Sequence, residues 1–126
     1  MRHLKADDLA DMEQELRSYC ETLAQEADMG IDVSKIWDLD PTEFDTDCVN
    51  AVREGAKLCD YDHMEIVYGA GHDAIYAAQV APTAMIFVPC KDGISHAEIE
   101  YASKKHCAAG CNVLLHAVLN RAGTVG

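Results

Sequence analysis

Met64-Glu65-Ile66-Val67, then Tyr68-Gly69-Ala70-Gly71-His72-Asp73-Ala74, then Thr83-Ala84-Met85-Ile86-Phe87-Val88 make up the stretch that decides the fold. Met64 to Val67 reads as a short strand and Asp73 to Val80 as a short helix. Thr83 to Val88 is a nearly unbroken apolar run, which suits a strand covered on both faces in a parallel sheet. Pro82 separates the helix from that run. Strand, crossover helix and strand make a βαβ unit, so the expected fold class is α/β.

Upstream, Leu9, Met12, Leu16, Cys20, Leu23 and Ala27 recur at steps of 3, 4, 4, 3 and 4, which predicts a helix from Asp8 to Ala27 with one apolar stripe. Asp7, Asp8 and Asp11 complement the positive end of its dipole, and Gly30 is the candidate C-cap. Ile31, Val33 and Trp37 alternate with polar residues as in a strand with one wet face, although Lys35 and Ile36 interrupt the alternation. Turn chemistry at Asp38–Glu43 marks a junction. Val49, Val52, Ala56 and Cys59 predict a second helix, capped by Asp45 or Thr46 and ending near Asp60. The last helix runs from a Ser103 cap to about Arg121, with Cys107, Cys111, Leu114 and Val118 inward and Gly123 as its stop.

The chain has 126 residues, enough to bury about two-thirds of its unfolded surface without disulfides. A net charge of −12 argues against nucleic acid and anionic membrane as partners. No apolar run approaches the ~20 residues of a membrane span, and the start lacks a secretion signal, so the expected location is cytoplasmic. None of the six cysteines lies in a Cys-x-x-Cys pair, and buried free thiols are expected. Cys107, Cys111 and His106 offer too few ligands in one turn for a tetrahedral metal site.

In an open α/β sheet ligands bind beyond the carboxyl ends of the strands, where two loops qualify. The first is Tyr68–Ala74, where Gly69 and Gly71 let a ligand approach the backbone and the helix starting near Asp73 points free N–H groups at an anion or carbonyl oxygen. The same spacing also suits a tight turn with an incidental histidine, since the third glycine of a dinucleotide fingerprint and the lysine of a P-loop are missing. The second is Pro89–Glu98, whose His96 is either a metal ligand or acid–base group, or a hydrogen-bonded loop residue. Glu98 and Glu100 either orient it or are solvated. His3, His63, His106 and His116 are read as structural or surface residues.

Gly69-Ala70-Gly71-His72-Asp73-Ala74, Val80-Ala81-Pro82-Thr83-Ala84-Met85-Ile86-Phe87-Val88-Pro89-Cys90, Gly93-Ile94-Ser95-His96 and Glu100-Tyr101-Ala102 resemble, in that order, the closing segment of the zinc-dependent amidohydrolases. These include N-carbamoyl-L-amino acid hydrolases, allantoate amidohydrolases and β-alanine synthase, within the M20 metallopeptidase group. The resemblance implies a partial three-layer sheet with flanking helices over 41–126, the carboxyl-terminal part of a metal-dependent catalytic domain. Residues 1–40 are similar to the end of the family's α+β lid or dimerisation domain, as a helix plus a strand. Tyr68 stands where the family commonly has serine, and Ala97 where it commonly has asparagine.

What the resemblance implies for chemistry is hydrolysis of a linear amide or carbamoyl C–N bond in an N-carbamoyl amino acid or ureido acid. His96 would be a metal ligand, and His72 would hydrogen-bond the substrate and steady its oxyanion. Gly69, Ala70 and Gly71 would line the substrate site. The metal would be zinc, or manganese, nickel or cobalt, in a complete enzyme. The family's other metal ligands and its water-activating glutamate match nothing in this chain, which implies little activity and no tight metal for the chain alone. The partners implied are a small-molecule substrate and either a second copy or a complementing amino-terminal half. The competing readings are a non-catalytic remnant that self-associates or docks through Leu9, Met12, Leu16 and Leu23, and a small α/β module holding an anionic metabolite.

Overall fold

Four α-helices form among residues 1–123, the part of the chain that the computed structural model describes: α1 (Ala6–Glu26), α2 (Thr46–Leu58), α3 (Asp73–Ala78) and α4 (Lys104–Ala122). Their positions match the predicted helices to within a turn, because each carries its own periodicity and end signals. The chain divides into two compact units, Met1–Thr42 with Val67–Ala70, and Glu43–Ile66 with Gly71 onward.

In the first unit, α1 exposes more of its stripe than the pattern predicts. Leu9, Cys20 and Leu23 are half-buried, Met12 and Leu16 are exposed, and none of its residues is fully buried. Its C-terminus is closed by Asp28 in the left-handed region at φ 48°, with Met29 N–H donating to the Ala24 carbonyl and Asp28 N–H to that of Gln25. This is the bonding of a Schellman motif, so the predicted Gly30 cap is displaced by two residues. Residues 31–38 follow without regular structure, and Glu13 ties them to α1. Its carboxylate takes ion pairs from Arg17 and Lys35, while Arg17 Nη1 donates to the Val33 carbonyl at 2.8 Å. The hydrogen bond from Lys35, then that from Arg17, holds the Glu13 carboxyl below the usual glutamate range. Lys35, which interrupts the strand pattern, is thus the residue that anchors the segment.

In the second unit, α2 packs against α4 through residues with almost no side chain. The fully buried positions are Ala51, Gly55 and Ala56 on α2 and Val113 and Ala117 on α4. A methyl added at Gly55 would stand 2.9 Å from the Val113 carbonyl oxygen and 3.3 Å from His116 Cβ, closer than packed atoms tolerate. The buried face of α4 is therefore Val113–Ala117, and the predicted inward set is turned outward. Cys107 and Cys111 are exposed, and Leu114 and Val118 are 52% and 51% exposed. The reason is that α4 is apolar around most of its circumference, and Gly55 on α2 admits the α4 backbone at Val113 and Ala117.

End signals are met as predicted at three sites and supplemented at a fourth. Asp45 accepts from the Cys48 amide at 2.8 Å, which holds its carboxyl below the usual aspartate range. Ser103 accepts from the His106 amide at 3.1 Å, and Gly123 takes φ 72° after α4. Asp60, at φ 54°, closes α2 in the manner of Asp28, with Tyr61 N–H donating to the Ala56 carbonyl. All six cysteines are free thiols, but none is fully buried: Cys20, Cys48, Cys59 and Cys90 are half-buried. Burial nonetheless pushes the Cys48 thiol up.

Neither Met64–Val67, Thr83–Val88 nor residues 31–38 forms a strand among the described residues, where the β-pairing is a single antiparallel bridge between Cys90 and Ala102. Regular strands exist only where a neighbour returns each N–H and C=O, and no described segment does so for these three. Within 83–88, Val88 meets α4, where a methyl at Gly110 would stand 2.7 Å from its Cγ1, and the Thr83 carbonyl accepts from the Asp45 amide at 3.0 Å. Among the described residues no helix is long and apolar enough to cross a membrane.

Two outcomes are expected. Gly55→Ala should cost about 1–3 kcal/mol in urea denaturation, since the methyl meets backbone rather than a yielding side chain. An undiminished midpoint would show that the two helices can part without penalty. Glu13 is ionised above the ordinary glutamate range and its pairing is lost as pH falls through its depressed folded value, so acid should release residues 33–38. Emission from Trp37, the one tryptophan, should report that step in the native chain, whereas Glu13→Gln should show the released signal at every pH.

Candidate functional site

His72 is the N-cap of α3 in extended backbone, and its ring Nδ1 accepts from the Ala74 amide at 3.0 Å. A neutral imidazole that accepts at Nδ1 carries its proton at Nε2, so the cap also sets the tautomer and makes Nε2 a donor. The helix N–H groups expected to meet a ligand are partly consumed by His72 itself. Ala74 bonds its ring, and Ile75 N–H donates to its carbonyl at 3.0 Å. Gly69 and Ala70 belong to the first unit, Gly71 and His72 to the second. Gly69 is exposed, has no positive φ and would give an added methyl only ordinary contact, 3.7 Å from Arg2 Cδ. The local fold therefore does not require glycine at 69.

The second loop is a closed ring of bonds. The Cys90–Ala102 bridge joins its ends, and Lys91 N–H donates to the Tyr101 carbonyl at 2.7 Å. A single 3₁₀ turn, Lys91–Gly93, places Asp92 and Gly93 in the left-handed region at φ 56° and 68°. His96 follows at φ 57°, a conformation that L-residues avoid and that histidine tolerates better than most. Its amide donates to Glu100 Oε2 at 2.7 Å, while the Cys90 thiol lies 3.9 Å from Oε1. Glu100 N–H in turn donates to the Ala97 carbonyl at 2.9 Å. Glu100, one of the two acidic residues read as candidates to orient His96, accepts from its amide.

His106, read as structural, anchors this loop to α4 by a hydrogen bond from Nδ1 to the Pro89 carbonyl at 3.1 Å. Sequence reasoning did not foresee the left-handed backbone at His96 or Asp92, since neither residue is glycine. The available signal was the four-residue step from His96 to Glu100, which lets a carboxylate reach back to an amide. Among the described residues no three of His, Cys, Asp or Glu gather where a metal ion could be held. The donor set of this chain by itself therefore does not fit a resident metal; His96 could offer one position of a larger ligand set.

The profile of Peptidase family M20/M25/M40 matches residues 7–120. The chain belongs to that family. It is 45% identical over 116 residues to the N-carbamoyl-L-amino-acid amidohydrolase of Rhizobium meliloti, covering 92% of this chain and 27% of that protein. It is 33% identical over 113 residues to the allantoate amidohydrolase of Escherichia coli, covering 90% of this chain and 28% of that protein. Among solved structures, an amidase of the hydantoinase/carbamoylase family from Burkholderia multivorans superposes with a TM-score of 0.90 at 48% identity, over 98% of this chain and 30% of that one. The chain thus spans less than a third of the length of these relatives.

Two variants separate the cap from the chemistry at position 72. His72→Ala should lose about 1 kcal/mol of cap energy and fray α3, whereas His72→Asn, a good N-cap, should keep the helix. Amide exchange at Ile75 and Tyr76 checks this; equal protection in all three proteins would mean the ring does not cap.

Proposed function

We propose that this chain is the carboxyl-terminal portion of a metal-dependent amidohydrolase that cleaves a linear amide or carbamoyl C–N bond in a small N-carbamoyl amino acid or ureido acid. The observation that carries the reading is the superposition on a hydantoinase/carbamoylase amidase over 98% of the chain at 48% identity. In this reading residues 1–40 end a lid or dimerisation domain, which would be the route to a homodimer, and residues 41–126 complete a catalytic domain with an α/β sheet. The three apolar segments without strand partners, 31–38, 64–67 and 83–88, would pair with strands from the longer portion that the relatives carry.

Within that enzyme His96 serves as one metal ligand, and the remaining ligands lie outside these residues. A divalent ion held there with ligands from the rest of the enzyme, zinc or alternatively manganese, nickel or cobalt, would supply an activated water near neutral pH. His72 holds the substrate oxygen through Nε2–H, the donor that its capping bond defines, and such a donor aimed at a developing oxyanion is worth ~3 kcal/mol. Gly69, Ala70 and Gly71 let the substrate lie against the backbone, which is consistent with a glycine that the local fold does not need.

The absence of a metal-holding cluster among the described residues favours, as the second reading, a non-catalytic chain that self-associates or docks to a partner. A chimera separates the two. This chain would replace the matching stretch of the Rhizobium meliloti protein, and the product would be assayed on N-carbamoyl-L-amino acids with zinc. Turnover is expected, and His96→Ala should lower it by about a hundredfold or more. A folded chimera with no turnover favours the non-catalytic reading, and undiminished turnover in the His96→Ala chimera removes His96 from the site.

A further inference from the structure

The bonds around His96 point to a role for a residue that lies outside the proposed chemistry. We propose that Glu100 is a positioning residue: its carboxylate holds the His96 amide, and with it the left-handed backbone that decides where the imidazole stands. The functional weight of this rests on His96 being a metal ligand, as in the proposed function, while the latch itself stands on geometry alone.

Three observations converge on Glu100. First, the 2.7 Å bond from the His96 amide to Oε2 is short for an amide–oxygen pair and is charge-assisted. Second, the amide it holds belongs to a residue at φ 57°, where relaxation to ordinary φ would swing the Cα–Cβ bond and carry the ring elsewhere. Third, Glu100 is itself held. Its amide bonds Ala97, its other oxygen faces the Cys90 thiol, and its neighbours Tyr101 and Ala102 close the loop against Lys91 and Cys90. A carboxylate fixed at one end of a closed loop can therefore fix the histidine at its middle. Solvated glutamate would make none of these bonds.

The test uses the uniformly ¹⁵N-labelled full chain. In Glu100→Ala the His96 amide proton should move upfield and exchange about tenfold faster or more, with the Val113 and Ala117 amides of α4 unchanged. Glu100→Gln retains an accepting oxygen and should restore most of the protection. A His96 amide that behaves in Glu100→Ala as in the native chain overturns the latch. In the chimera, Glu100→Ala should weaken zinc retention against a chelator by about tenfold or more, with Glu100→Gln intermediate. Full retention there, with His96→Ala losing zinc, overturns the positioning role and leaves the hydrolase reading intact. Full retention in His96→Ala instead removes the metal role of His96 while the amide result still decides the latch.

Discussion

The Val113 carbonyl oxygen stands 2.9 Å from where a methyl on Gly55 would be, and that approach governs the second unit. Only a glycine on α2 admits it, and the buried residues of the two helices are Ala51, Ala56, Val113 and Ala117 beside it. Once this face of α4 is committed, its other apolar residues must point away. That leaves Leu114, Leu115, Val118 and Leu119 between 41% and 55% exposed. An apolar helix with one face packed and another open is the pattern of an element made for a thicker structure, which fits relatives more than three times longer.

The same commitment places the loop that bears His96. Gly110 lets Val88 lie against α4, His106 bonds the Pro89 carbonyl, and Ser103 caps the helix one residue beyond the Cys90–Ala102 bridge. The loop is held to α4 at both of its ends, and Glu100 organises its interior. Local backbone strain persists only where surrounding bonds over-determine it, and His96 meets that condition. A residue held in this way does not depend on the apolar segments acquiring strand partners.

Much of this was legible in the residues. Asp45, Ser103 and Gly123 act as the end signals they spell, and His72 stands at the start of α3, where the break between Gly71 and Asp73 puts it. Other readings failed for definable reasons. Gly30 lost the cap of α1 to Asp28, because the left-handed turn falls where the hydrogen bonds to Ala24 and Gln25 close, and aspartate tolerates it. The 107–111–114–118 stripe on α4 was as periodic as the face that is buried, so periodicity could not choose between them. The glycine at position 55 of α2 decided, and its close approach exists only against a specific partner.

What the amino-acid sequence determined by itself is the set of four helices, the end signals at Asp45, Ser103 and Gly123 and the family to which the chain belongs, because a helix closes its hydrogen bonds within its own segment and a motif carries its ancestry in its order. Tertiary structure alone decided which face of α4 is buried, that Lys35 reaches Glu13, and that Glu100 holds His96 in the left-handed region. The three apolar runs that read as strands show the same division. A strand's hydrogen bonds belong to its neighbour, so a run of β-formers states a capacity that only a paired segment converts into structure.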